Sequence, residues 1–176
     1  MILRDNRIFM RSPEPQDVDF LYNLENNTDL WAVSTNMEPY SKTQIETYIK
    51  ENPHDLFTYH QVRFVICRAT DNVPVGTADL TDIDFMHRRA EIGLAILDKF
   101  RGNGFSASAL KLLEDYAQKN LQLNSLHAIM LADNSICANL FISHGYVLSG
   151  TLKEWIWNSG HYSDANIYQK ILKKNI

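Results

Sequence analysis

The sequence predicts a mixed α/β domain of the α+β type, in which a mostly antiparallel sheet of six to seven strands is flanked by about four helices. Three observations carry that expectation. Apolar residues alternate with period two from Val62 to Ile66, in a region punctuated by hairpin turns. They recur at helical spacing from Phe105 to Ala117, and the run from Ala90 to Leu131 reads as strand, glycine loop, helix, strand. With 176 residues, 45% of them hydrophobic, and no internal repeat, low-complexity tract or Pro/Gly/Ser linker, the chain has the length of one domain, residues 1–176, with its own core.

Residues 2–11 read as a first strand, after which Pro13 and Pro15 introduce a helical stretch with Val18, Leu21, Tyr22 and Leu24 on one side. Ser41, Lys42, Thr43 and Gln44 have the form of a capping box, so a second helix is expected to run to about Lys50. From Tyr59 the period shortens to two, and Asp71-Asn72 turns the chain into a second strand from Val75 to Asp82. Ala90 to Leu97 adds a third, and three antiparallel strands are the economical assignment. A helix then begins at Phe105, followed by a compact apolar strand from Leu126 to Leu131. Asp133-Asn134 can cap a short helix carrying Ile136, Leu140 and Phe141, and Gly145 sits where its C-terminus needs a left-handed residue. Strand-like patterns at Tyr146 to Leu148 and Ala165 to Ile171 give the order β-α-α-β-β-β-α-β-α-β-β.

Seventeen basic against 21 acidic residues give a formal charge of −4, and no run of Lys or Arg offers a field for nucleic-acid phosphates. No nucleic-acid partner is expected. The N-terminus becomes charged after two apolar residues and no run approaches 18 apolar residues, so neither a secretory signal nor a membrane span is expected, and the cytoplasm is the expected compartment. Cys67 and Cys137 are too few for a disulfide framework. The six histidines have no paired i, i+4 spacing, so no metal site is expected.

The strongest local feature is Lys99-Phe100-Arg101-Gly102-Asn103-Gly104-Phe105-Ser106, between a buried strand and an amphipathic helix. Two glycines let the backbone approach a ligand, and free N–H groups at a helix N-terminus point toward negative charge; phosphate or pyrophosphate is the natural guest. A bare strand-to-helix turn explains the glycines about equally well. No Walker-A pattern occurs. Gly102, Gly104 and Ala107 satisfy G-x-G-x-x-A, but the three hairpin-like strands before them do not suit a doubly wound dinucleotide domain.

This loop, with the helix after it, Asn134, and the junction His144-Gly145-Tyr146, resembles the GNAT superfamily of acetyl-CoA-dependent N-acetyltransferases over nearly the whole chain. Within it the likeness is greatest to bacterial spermidine N-acetyltransferases, carried by His87-Arg88-Arg89-Ala90-Glu91, Glu38-Pro39-Tyr40, Gly150 to Trp155 and Gly160 to Asp164. The family loop is written Gln/Arg-x-x-Gly-x-Gly/Ala, and Lys99 departs from its first position while keeping a donor. The resemblance implies a sheet splayed at its middle, acetyl transfer to a primary amine such as that of spermidine or spermine, and a homo-oligomer, since the family forms dimers or larger rings. It also implies that Lys99, Arg101, Gly102, Asn103, Gly104, Phe105 and Ser106 hold the coenzyme pyrophosphate. The backbone of Leu94, Ala95 and Ile96 would bind the pantetheine arm, and Asn134 would touch the cofactor besides capping its helix.

Glu91 is a carboxylate among Ala90, Ile92, Leu94 and Ile96, awkward on a strand unless it faces a cavity or a partner. A salt bridge to Arg88 or Arg89 is the alternative; the resemblance favours the amine site, with Asp82 as a second acid, Glu91 serving as amine ligand or as base through water. Phe141 stands where the family places the tyrosine that protonates coenzyme A thiolate, leaving that acid unassigned; a thiol with a pKa near 8.5, about that of free Cys, is a fair leaving group without it. Glu38, Glu46 and Glu51 flank the second helix, where polyamine enzymes can carry a regulatory site, although the interspersed Lys42 and Lys50 suit a solvated face. The rival functions are acetylation of a protein N-terminus or an aminoglycoside-like amine, and a non-catalytic acyl-CoA-binding module.

Overall fold

The computed structural model describes residues 2–28, 38–51, 56–158 and 160–172. The expected first strand is two, β1 (Leu3–Arg4) and β2 (Ile8–Arg11), paired antiparallel with Leu3 opposite Met10. Asp5 causes the break, because its Oδ1 accepts from the N–H groups of Arg7 (2.8 Å) and Ile8 (2.9 Å) and closes an Asx turn. A 3₁₀ turn, Pro15–Asp17, opens onto α1 (Val18–Glu25), which buries Leu21 and Leu24. Buried Asp17 receives both Arg11 Nη atoms (2.6 and 3.0 Å), tying the start of α1 to β2. The capping box is present in α2 (Lys42–Glu51): the Gln44 N–H donates to Ser41 Oγ (3.2 Å) and the Ser41 N–H to Gln44 Oε1 (2.8 Å). The one-turn α3 (Leu56–Tyr59) was not expected, being too short to show a period.

Strands β3 (Val62–Arg68), β4 (Pro74–Asp84) and β5 (Arg89–Ile96) form the expected antiparallel set, turned at Asn72, whose φ is 62°. Helix α4 (Phe105–Lys119) crosses over to β6 (Ser125–Leu131), which joins β5 in parallel. After α5 (Ser135–Ser143) come β7 (Val147–Asn158) and β8 (His161–Ile171), longer than their patterns suggested because the polar and glycine residues 149–154 and 158–164 obscure the alternation. The sheet order is β1-β2-β3-β4-β5-β6-β8-β7, so β8 lies between β6 and β7; among the described residues the sheet has eight strands, where six to seven were expected, and there are five α-helices against an expected four or so.

Strand alternation gives the sheet two faces. Phe64 meets Tyr116 of α4 edge-on at 5.3 Å, which puts Phe64, Ala78, Leu80, Ile92 and Leu126 on the α4 side with Leu110, Leu113 and Ala117. Each of the fully buried leucines there contributes about 1.5–3 kcal/mol. Arg63 instead reaches Glu25 of α1 (2.6 Å), so Arg63, Asp79, Glu91, Gly93 and Ala95 lie on the opposite face. Among the described residues, no helix is long and apolar enough to cross a membrane.

Candidate active site

Strands β5 and β6 pair only through Arg89–Ser125, Ala90–Leu126 and Glu91–His127. Beyond that point β5 still pairs with β4 as far as Ile96 opposite Gly76, and β6 with β8 as far as Leu131 opposite Ala165. The sheet is therefore splayed at its middle, with residues 92–96 and 128–131 as the walls of a wedge. The Leu97 N–H donates to Val75 C=O (2.9 Å), which fixes the phase of the β4–β5 ladder: Ile92, Leu94 and Ile96 turn their main-chain groups toward the wedge. This unpaired edge is a template for an extended chain with amides of its own. The close approach of β4 requires glycine at position 76, where a Cβ would collide with the Ala95 carbonyl and lie 2.7 Å from Ile96 Cδ1.

At one end of the wedge the glycine loop leads into α4. Gly102 (φ 78°) and Gly104 (φ 75°) are left-handed, and the first α4 N–H with an intrahelical acceptor is that of Ser108, which donates to Gly104 C=O (3.2 Å). The N–H groups of Phe105, Ser106 and Ala107 have no such acceptor and face outward from the helix start. Arg101 donates from Nε to Ile96 C=O (3.2 Å) and pairs with Asp98 (2.9 Å), while Lys99 Nζ lies 5.0 Å from the Phe100 ring. The Asn103 amide donates to the carbonyls of Phe100 and Arg101, so this side chain braces the loop. Arg7, from the β1–β2 turn, holds its guanidinium against Gly104. Nothing in the local sequence pointed to Arg7, since only the fold brings it to the loop.

At the apex of the wedge the charge is of the other sign. Asp82 sits in a β-bulge between Thr81 and Asp84, with φ 48°, exposed at the mouth of an open cavity of about 410 Å³ shared with His60 and Phe85. Glu91 is across the ladder from Thr81, its side chain 30% exposed, and burial, then the nearby Asp82 carboxylate, push its carboxyl above the usual 4.5. The two acids singled out from the sequence are thus brought together. Neither of the salt bridges considered for Glu91 forms among the described contacts; Arg89 pairs with Asp84 (3.3 Å), and the Glu91 Oε2 partner is His127 Nε2 at 3.8 Å. Farther along the same face, Arg63 lies between Asp79 (2.6 Å) and Glu25 (2.6 Å), two carboxylates on one guanidinium. The floor between is open: a Cβ on Gly93 would meet only the Asp79 Cβ, at 3.9 Å.

A cationic loop, an unpaired strand edge and a pair of carboxylates in one wedge suit a bound phosphate-bearing amide chain whose far end meets an amine. The family profile of the acetyltransferase (GNAT) domain matches residues 7–147, four-fifths of the chain. The protein belongs to the GNAT acetyltransferases. It is 28% identical over 162 residues to spermidine N(1)-acetyltransferase of Vibrio cholerae, covering 92% of this chain and 91% of that protein. The crystal structure of the spermidine N-acetyltransferase from Vibrio cholerae in complex with CoA and spermine superposes with a TM-score of 0.82 at 26% identity, covering 96% and 97% of the two chains. A dodecameric structure of the Vibrio cholerae enzyme superposes at 0.81 with 25% identity, covering 96% and 95%.

This GNAT acetyltransferase uses acetyl-CoA as acyl donor, and the loop and edge described above fit a pyrophosphate and a pantetheine arm. Asn134 caps α5 as its residue type suggested, accepting from the Cys137 N–H (3.1 Å). Phe141 is buried (2% exposed) and packs edge-on against Tyr146 at 4.9 Å. Tyr146 does not replace the missing hydroxyl, since its own is buried beside Glu114, and burial, then Glu114, push it far above the ordinary tyrosine range. Glu38, Glu46 and Glu51 are exposed around α2, where Lys42 pairs with Asp19 (2.6 Å). Among the described residues no group of three or more His, Cys, Asp or Glu could hold a metal ion.

Proposed function

We propose that the enzyme acetylates a primary amine of a small polycation, with spermidine and spermine as the representative acceptors, by direct attack on acetyl-CoA without an acetyl-enzyme. The observation that carries this reading is the separation of charge along the wedge: Arg7, Lys99 and Arg101 at the loop end, Asp82 and Glu91 at the apex. The N–H groups from Gly102 to Ser106 receive the pyrophosphate, with Asn134 at the cofactor as the family resemblance implies. The main chain of Leu94 and Ile96 aligns the arm and polarises the thioester carbonyl, whereas Ala95, expected to share that role, turns its own main-chain groups to Thr77 of β4. Glu91 holds the amine that attacks or relays its proton through water, and Asp82 holds a neighbouring ammonium. The likeness to the Vibrio cholerae spermidine enzyme supports the acceptor class.

The whole machinery lies in one domain, residues 1–176, on a single sheet. The chain assembles as a homo-oligomer; exposed Trp155, Trp157 and Tyr162 on the β7–β8 hairpin offer an aromatic surface, and the related dodecamer supports it. Unpaired Cys67 and Cys137 suit a cytoplasmic setting.

Release of coenzyme A thiol from acetyl-CoA, followed against spermidine, spermine, diamines, aminoglycosides and N-terminal peptides, tests the reading. Spermidine or spermine is expected to exceed aminoglycosides and peptides by at least tenfold in kcat/KM, the equivalent of about 1.4 kcal/mol. If no amine raises release above hydrolysis while acetyl-CoA still binds, a non-catalytic acyl-CoA module takes its place. The loop has its own check. Gly104→Ala puts a Cβ in a left-handed position and against Arg7, at a cost of about 1–2 kcal/mol, so the acetyl-CoA KM is expected to rise about tenfold with spermidine KM unchanged.

A further inference from the structure

We propose that His127 is the proton acceptor of the transfer, taking the proton that the attacking ammonium sheds while Glu91 holds that ammonium in place. This inference rests on the amine-acetylation reading and assigns a residue for which neither the loop nor the strand patterns gave a role.

Placement is the first argument. His127 is the last residue of β6 that pairs with β5, directly opposite Glu91, so the two side chains stand side by side at the apex where the strands begin to part. Both are on the face that carries Gly93 and Ala95, where a Cβ on Gly93 would meet only the Asp79 Cβ among the described residues, at 3.9 Å. Their side chains are 28% and 30% exposed, open to a ligand entering from that face.

Distance is the second. His127 Nε2 and Glu91 Oε2 are 3.8 Å apart, too far for a direct hydrogen bond. An ammonium nitrogen about 2.8 Å from each would see them at an angle of roughly 85°, within the bend that N–H donors tolerate. One amine can therefore donate to both groups at once.

Charge is the third. Among the described residues the groups facing His127 are Glu91 and Arg89 from β5, Asp82 from β4 and the neutral Gln169 opposite it on β8. Burial, then Arg89, hold its imidazole below 6.5 against the opposing pull of Asp82. The ring is thus neutral at pH 7 and ready to accept a proton, and the carboxyl of Glu91 beside it is the group that suits a cation.

The ammonium gives one proton to the imidazole, and the freed lone pair forms the C–N bond to the thioester carbon. The C–S bond breaks with its electron pair on sulfur, and the second proton lost by nitrogen ends on the thiolate. The imidazolium then releases its proton to water.

The test is His127→Gln in the full chain, with His127→Asn as a second variant, each checked for an unchanged melting temperature and acetyl-CoA binding. With an acceptor in place, wild-type kcat/KM for spermidine stays level from pH 7 to 9. Without it, only amine already neutral reacts, so the variant climbs about tenfold per pH unit. A deficit of about 100-fold at pH 7 is expected to shrink toward parity by pH 9. A deficit equal at every pH, in either variant, overturns the assignment in favour of a structural role, as does activity within twofold of wild type at pH 7. Those outcomes leave the amine-acetylation reading standing. Absence of amine-dependent release by the wild type removes both.

Discussion

Replacing Lys170 by Met is expected to cost about 3 kcal/mol of folding stability, the cost typical of stranding a buried charge. Lys170 Nζ donates to Glu114 Oε2 at 2.6 Å, with side chains 25% and 11% exposed, and lies 5.6 Å from the Tyr146 ring. Glu114 shares α4 with Leu110, Leu113 and Ala117, all fully buried, and Tyr146 packs on buried Phe141. Glu114 Oε1 and the Tyr146 hydroxyl already lack hydrogen-bond partners. Removing the ammonium therefore leaves a largely buried carboxylate on α4 without the cation that it pairs with among the described residues. The same reasoning predicts the opposite for replacing the whole group. Glu114→Leu, Lys170→Met and Tyr146→Phe together remove every unsatisfied atom while roughly preserving volume, and are expected to be neutral or to stabilise by about 1–4 kcal/mol. Urea unfolding with an unchanged m-value measures both variants. A loss below about 1 kcal/mol in Lys170→Met would show that the pair is solvated and energetically idle.

Much of this fold is legible in the sequence because its information is local. The period-two run Val62 to Ile66, the capping box at Ser41 and Gln44, and the left-handed Gly145 each act within a few residues. The N-terminal hairpin was hidden because a single Asp5 side chain makes its turn, without glycine or proline. Sheet order was not legible: nothing in β8 itself says that it inserts between β6 and β7. The site divides in the same way. Glu91 stands out as a charge in an apolar strand, and the glycine loop as a break before a helix. Arg7 and the Arg63–Glu25–Asp79 cluster carry no such local contrast, and His127, although polar within the apolar run Leu126 to Leu131, has no visible partner until β5 lies beside it. Their significance depends on partners far along the chain, such as Glu25, 38 residues from Arg63.

Glu91→Gln is expected to lower kcat for amine acetylation by about 10²–10³-fold while leaving the acetyl-CoA KM within about twofold. Gln keeps the shape and removes the charge, and the groups that face the coenzyme lie at the other end of the wedge. Equal losses in turnover and in acetyl-CoA affinity would count against Glu91 as amine ligand or base. A pH experiment separates its charge from its shape. Asp82 raises both the Glu91 carboxyl and the His127 imidazole, so Asp82→Asn removes a like charge from one and a supporting charge from the other. Both groups then shift downward, and the acid limb of kcat/KM is expected to move to lower pH; movement to higher pH would mean that Asp82 does not act on this pair. The folded-state pKa of Glu91 lies above 4.5, so its ionisation opposes folding: the stability it contributes is present below about pH 4.5 and is lost as pH rises through the folded value. At pH 7 Glu91→Gln is therefore expected to match or slightly exceed the wild type in melting temperature while losing turnover. A residue whose charge costs stability yet is needed for turnover is held in place by its chemistry, and a clear fall in melting temperature for this variant would instead make Glu91 a structural partner of His127.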